Sequence, residues 1–386
     1  MKKVLLASTA VALYAQSAQA QLEVHLGGYT EFFGAYYDDD ISNRTSREFQ
    51  METEIIVRAD GKADNGLLYG AKVELQNSTG GASDSGVGTD EASVYLGGTW
   101  GRLELGDFDG ASDTLAIYAP LVGIEQIDGN AYDFLSVEQG GFVFGSLPMG
   151  SAIVPPDSGD STKIMYVTPR FAGLQAGVSY APQDGSEAQD VVPLKTAGGY
   201  KDFWEAGINY TGEFSGFSVA AGVTGSGATG QDLGVVGGPS LEDFTAWQLG
   251  AQVGYGGFKV GGGYIDAGDY NAVSGLPVSS GDSSVWNVGV SYTTGALAIA
   301  LTYADSEGFK GGPSFDEDLA PSVSTYATSY KTYGGGVAYT LAPGFLLEAD
   351  VMYVEEDLRN TDVATSATTT ASNEGIVAVV GTRIDF

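Results

Sequence analysis

Cysteine is absent from the 386 residues, and histidine occurs once, at His25. Disulfide frameworks and Cys- or His-rich metal centres are therefore excluded. Bases are scarce, with 17 Lys and Arg against 49 Asp and Glu and a formal net charge of −32. Phosphate recognition needs the opposite sign, so nucleic acid is excluded as a partner and cations are the natural counterions. No run of about 18 consecutive apolar residues follows the first twenty, so no segment reads as a membrane-crossing helix. Catalytic signatures are missing as well: G-x-S-x-G does not occur. "GSGATG" at 225–230 has dinucleotide-fingerprint spacing, but "QDLGVVGGPS" after it is no helix, and the stretch reads as an external loop. The expectation is a protein that is not an enzyme and carries no cofactor.

Glycine (58) and tyrosine (22) are abundant instead, as suits β-structure with many turns. "MKKVLLASTAVALYAQSAQA" combines Lys2 and Lys3, a short apolar run and Ala18-Gln19-Ala20, the pattern of a cleaved export signal over 1–20. That leaves 21–386 as the mature chain, with 15 bases against 49 acids. Period-two alternation then marks sixteen strands, near 22–37, 46–60, 66–76, 90–99, 101–107, 161–169, 172–181, 200–211, 214–224, 241–255, 257–268, 282–293, 296–305, 328–340, 344–356 and 373–386. Their connections alternate short and long. "GTWG", "TGEF", "YGGF" and "LAPG" are short; 38–45, 77–89, 108–160, 182–199, 225–240, 269–281, 306–327 and 357–372 are long. An even meander with all long loops on one side is the pattern of a transmembrane barrel, in which closure removes unpaired strand edges.

The aromatic residues fall at two heights. Tyr210, Tyr255, Tyr292, Tyr339 and Phe386, with Phe217, Phe258 and Phe345, stand at the short-turn end; Tyr180, Tyr264, Tyr303 and Tyr353 stand at the other. Interfacial girdles have this arrangement. From Phe345 to Tyr353 the outward parity is apolar, and the eight steps span roughly 19 Å of height at a tilt of about 45°. The final "GIVAVVGTRIDF" alternates to its last residue, so Phe386 is assigned to the inner girdle and to barrel assembly.

Over the whole mature chain the sequence resembles the general diffusion porins of Gram-negative outer membranes. The resemblance rests on "LEVHLGGYTEFFGAYYDDD", "DNGLLYGAKVEL", "DEASVYLGGTWGRLELGDFDGASD", "FAGLQAGVSYAP" and the terminal Phe, with "YLGGTWGRLELGD" the most family-like. It implies an all-β, 16-stranded antiparallel transmembrane β-barrel that assembles as a homotrimer in a bilayer with lipopolysaccharide. Turns are short on the periplasmic side, and loop 108–160 folds into the lumen as a pore constriction. Loop 77–89 would latch onto a neighbouring barrel. The solutes would be ions and small hydrophilic molecules.

Pore-lining candidates on the wall are Glu48, Glu52, Glu54, Arg58, Lys72, Glu74, Arg102 and Glu104. At or in the loop they are Asp107, Asp109, Asp113, Glu125, Asp128, Asp133 and Glu138, with Asp157 and Asp160 also acidic and no Lys or Arg between 108 and 160. Related porins set a basic ladder against an acidic loop, and several place arginine where Glu52 and Glu54 stand. This chain departs from that, and a net negative, cation-preferring constriction is expected. "DFDGASD" at 107–113 resembles a calcium loop without its twelve-residue spacing, leaving a weak Ca²⁺ site at Asp107, Asp109 and Asp113 as an alternative to a plain bend. A substrate-specific channel or a β-rich surface binding protein is the other functional class. Tyr29, Phe33 and Tyr37 share the inward parity of the first strand, where they would either stack sugars or pack against the folded loop.

Overall fold

The computed structural model describes residues 22–41, 44–77, 87–123, 134–135, 137–139, 142–144, 153–186, 199–233, 239–274, 283–315, 321–362, 365 and 367–386, with backbone alone for 137–139, 142–144, 309–315 and 321–327. Eighteen strands are formed: β1 (Glu23–Asp39), β2 (Arg47–Lys62), β3 (Leu68–Asn77), β4 (Val87–Gly98), β5 (Gly101–Asp107), β6 (Val137–Gln139), β7 (Phe142–Phe144), β8 (Thr162–Val167), β9 (Leu174–Gln183), β10 (Tyr200–Phe214), β11 (Phe217–Gly230), β12 (Phe244–Tyr255), β13 (Phe258–Gly268), β14 (Ser283–Thr294), β15 (Leu297–Phe315), β16 (Pro321–Ala342), β17 (Phe345–Asp362) and β18 (Thr368–Asp385). Sixteen of them close into one antiparallel barrel; among the described residues β6 and β7 pair with each other as a separate two-stranded sheet. A single turn of helix, α1 (Ala111–Thr114), opens that loop.

Closure runs through β1 and β18, from Tyr29 opposite Asp385 to Asp39 opposite Gly375. The terminal residue completes it. Phe386 N–H donates to the Gly28 carbonyl at 3.0 Å, and Gly28 N–H donates back to the Phe386 carbonyl at 3.1 Å. No edge is left open, which in hydrocarbon would cost several kcal/mol per unpaired group.

Alternation divides the wall as the sequence indicates. On β17, Leu347 and Val351 are exposed on the outer face, whereas Glu348, Asp350 and Met352 are buried on the inner one. On β18, Ile376, Val380, Ile384 and Phe386 face out and Val377 and Val379 face in. Both girdles form. At the short-turn end Phe217 stacks on Tyr255 at 4.6 Å and Phe258 meets Tyr292 at 4.3 Å. At the opposite end Trp286, Tyr303, Tyr333 and Tyr353 make a row of ring contacts at 4.9, 4.8 and 6.0 Å.

Two expectations are corrected. The stretches 306–327 and 357–372 are largely strand, because β15 to β18 continue past the outer girdle. Outside the membrane the outward residues turn polar, as at Lys331 and Glu355, so alternation loses contrast while the backbone ladder persists. "GSGATG" is likewise the end of β11, not a loop: Ser226 is fully buried and donates to the Pro156 carbonyl.

Candidate functional site

Inside the barrel residues 108–123 leave β5 and lie along the inner wall of β9 to β14, and residues 134–135 stand on the far side. The wall holds the loop mainly through its backbone. Asn209 Nδ2 donates to the Leu115 carbonyl at 3.1 Å, Gln252 Nε2 to the Tyr118 carbonyl at 2.7 Å, and Ala119 N–H to Asn287 Oδ1 at 2.9 Å. Gln248 Nε2 donates to the Ile153 carbonyl. Glycine makes room for this approach: a Cβ on Gly250 would fall 1.4 Å from the Ile117 carbonyl oxygen. On the far side the Phe134 and Leu135 side chains pack with Phe33, Tyr37, Met352, Val377 and Val379. Arg44 donates to the Phe134 and Leu135 carbonyls and to Asp39.

Both roots of the loop meet at one carboxylate. Glu205, on β10 and 2% exposed, accepts from Ser112 N–H at 3.0 Å and Ser112 Oγ at 2.6 Å at the outgoing root. It accepts from Ser158 Oγ at 2.6 Å and Ser158 N–H at 3.3 Å at the returning one. No sequence motif announced this residue; its only signal was an inward acid on a strand facing two loop serines.

The opposite wall, β1 to β5, carries the predicted acids. Glu52 is buried at mid-height and accepts from Tyr29 Oη at 2.5 Å and Gln76 Nε2 at 2.9 Å. Glu54, Glu74 and Asp90 bring carboxylate oxygens within 4.8 Å of one another, and so do Glu91, Asp109 and Asp160. The first trio belongs to the wall; the second joins the wall to the two loop roots. Asp90 and Glu91 were absent from the candidate set. A β-bulge between Val73 and Leu75 is what admits them, since Val73 pairs with Ala92 and Leu75 with Thr89. Two acids then oppose Glu74 alone, and the extra residue escapes strict alternation.

Four bases around the loop roots and the β1 to β5 wall are engaged by neighbours. Lys72 bridges Glu74 at 3.0 Å and also binds Glu91. Arg102 binds Glu104 through Nε at 2.8 Å and Nη2 at 2.9 Å, and Ser93 Oγ donates to the same carboxylate at 2.6 Å. Lys163 is buried and donates to the Phe108 and Gly159 carbonyls at the loop roots. Arg383 lies over the Tyr29 ring at 3.8 Å, with Asp385 at 2.9 Å and Glu31 at 3.4 Å.

Not all candidates converge. Glu48 is exposed toward the outer end of β2, and Arg58 is exposed toward its inner end, opposite His25; neither belongs to the carboxylate trios. Asp107 accepts from Thr162 Oγ1 at 2.5 Å, and Asp113 sits in α1, where its carbonyl accepts Ala116 N–H at 2.9 Å. Of the three residues of the calcium reading, Asp109 brings its carboxylate together with those of Glu91 and Asp160. Glu125, Asp128 and Asp133 lie outside the described residues, as does the Glu138 side chain.

Burial and neighbouring acids shift the loop-root carboxyls. Desolvation, with Glu205 next in weight, pushes Asp157 up to about 7. Desolvation and then Asp109 push Asp160 up to about 7. Asp109 is raised too, by burial first, against the lowering effect of Lys163.

A closed sixteen-stranded barrel with an apolar belt, two aromatic girdles and a loop folded through its lumen defines an outer-membrane channel. The chain belongs to the Gram-negative porin family, whose sequence model matches residues 7–359. A Rhodobacter capsulatus porin is 30% identical over 120 residues, 30% of this chain and 36% of that protein. An uncharacterized Rickettsia conorii protein is 23% identical along the full length of both chains. Among solved structures, a mutant Rh. blastica porin superposes with a TM-score of 0.57 at 18% identity, covering 94% of this chain and all of the other. The protein is thus a porin of the outer membrane that provides a path for diffusion.

Proposed function

We propose that this channel passes ions and small hydrophilic solutes passively and prefers cations. The observation that carries the preference is the juxtaposition of the two carboxylate trios, Glu54–Glu74–Asp90 and Glu91–Asp109–Asp160. Lys72, Arg102, Lys163 and Arg383 are each bound to a carboxylate or a carbonyl nearby, so these four do not form a free basic ladder opposite the loop roots. Charges in a narrow, partly dry passage act over short distances and are screened less than surface charges. The aromatic residues of β1 support a general pore over a sugar-stacking channel, since Phe33 and Tyr37 pack on Phe134 of the loop and Tyr29 is bound to Glu52.

Family membership also supports a homotrimer in a bilayer with lipopolysaccharide, for which Leu26, Met51 and Ile55 offer an exposed apolar strip on β1 and β2. It supports reading 1–20 as an export signal. The zero-current potential across a KCl gradient tests the charge assignment. A cation-directed potential is expected, shrinking as the Debye length falls from about 10 Å at 0.1 M to about 3 Å at 1 M salt. Replacing Glu52 and Glu54 together by Arg lowers it. An anion-directed potential in the unmodified protein refutes the assignment, and an unchanged potential in the double variant removes these two residues from the path.

A further inference from the structure

Beneath the loop, on the short-turn side, the lumen holds a cavity of about 580 Å³, within the size range of small-molecule sites. Its roof is the loop segment 118–122, fixed by the Gln252 to Tyr118 hydrogen bond. Its floor is one register row across five strands: Glu213 pairs with Ser218, Ser218 with Gly254, Gly254 with Lys259, and Lys259 with Ser291. Gly254 leaves the centre of that row low, and a Cβ there would fall 2.4 Å from Ser218 Oγ. An acid and a base therefore flank a hollow at the same height. They are three strands apart, so at about 4.8 Å per spacing their Cα atoms are roughly 14 Å distant. Among the described residues neither forms an ion pair, with the other or with anything else.

The geometry points to a binding subsite for short zwitterionic peptides, ammonium end toward Glu213 and carboxylate end toward Lys259. The spacing sets the length. An extended tripeptide reaches roughly 10 Å between its ends at about 3.5 Å per residue, and the two side chains span the remainder. Ser218, between the two charges in that row, supplies a hydroxyl for the peptide groups. The site differs from the acidic constriction in carrying both signs, so it retains a net-neutral solute on which the constriction has little grip. Wet ion pairs are individually weak, which suits a channel: the solute dwells and leaves.

This inference rests on the lumen being a conducting path, and one bilayer experiment separates the two. Triglycine is added to both chambers, with N-acetyl-triglycine amide as an uncharged probe of similar size. Triglycine is expected to produce transient current reductions that the capped peptide does not. Lys259→Met and Glu213→Gln each shorten the dwell time roughly twofold to fivefold, the value of a solvated ion pair. The exchange Glu213→Lys with Lys259→Glu restores it, because a zwitterion can bind reversed. Open-channel conductance reports that each variant has folded. Equal dwell times for the two peptides on the unmodified channel, or a charge exchange as weak as the single variants, overturn the subsite. Absence of any current overturns the channel reading, and the subsite with it.

Discussion

Among individual residues, Glu205 holds both roots of the lumen loop. One carboxylate accepts four hydrogen bonds from Ser112 and Ser158, so it ties the outgoing and returning chains of a long loop to a single point on β10. Glu205→Ala leaves two buried backbone donors and two hydroxyls without an acceptor, at about 1–3 kcal/mol for each unsatisfied group. The expected result is a folded barrel with a loosened loop, seen as excess open-channel noise in single-channel records; Glu205→Gln, which keeps one carbonyl acceptor, lies between. A trace as quiet as the unmodified protein's would show that the wall amides hold the loop without it. The neighbouring acids give a pH signature. Asp157 and Asp160 are raised to about 7, so they are charged above that pH and neutral below it. Lowering the pH from 8 to 6 removes negative charge from the loop root, so the proposed cation preference is expected to fall. Asp160→Asn should flatten that response in reversal-potential measurements, and a pH response of full size in this variant would assign it to other groups.

Each barrel strand makes a choice of two faces, and β17 shows how firmly the choice is made. Val351 is half exposed on the belt, between Leu347 below and the Tyr353 girdle above. Val351→Arg puts a cation in hydrocarbon at an expected cost of about 2–4 kcal/mol. Glu348→Gln, three residues away on the lumen face, should leave folding in lipid vesicles unchanged. Chemical unfolding of both variants in vesicles checks the ranking, and the reverse order would mean the facing of β17 is wrong. This facing was legible in the sequence because apolar and polar residues alternate sharply wherever one side meets lipid. Two kinds of element were not. Beyond the girdle β15 to β18 face water on their outer side, so the alternation that marks a strand fades although pairing continues. The bulge at Glu74 broke the period that assigns Asp90 and Glu91 to a face. The loop contacts were hidden for another reason. Asn209, Gln248, Gln252 and Asn287 look like any polar lumen residue, and their partners are backbone groups of a segment without periodicity.

For the whole molecule the decisive event is closure, which turns sixteen strands with two open edges into one wall without any. The seam between β1 and β18 has the same ladder as its neighbours, but it joins the two ends of the barrel sequence and has the largest loop to close. Phe386 finishes that seam in two ways. Its backbone exchanges a pair of hydrogen bonds with Gly28, and its ring, 57% exposed, lies on the outer face at the height of the inner girdle. Gly28 helps, since its φ of 142° and the 2.1 Å that a Cβ would leave to the Glu54 carbonyl both require glycine where β1 and β2 meet. Phe386→Asp keeps the backbone pair and puts a carboxylate where the ring should enter the membrane interface; deletion of Phe386 removes both. Aromatic residues anchor a barrel at this boundary, so each change should lower the amount of heat-modifiable barrel recovered from outer membranes while leaving export across the inner membrane intact. Deletion should be the more severe, because it also opens the last rung of the seam. Unmodified yields from Phe386→Asp would place the assembly signal elsewhere in β18. Equal losses from the two variants would assign the effect to the ring alone.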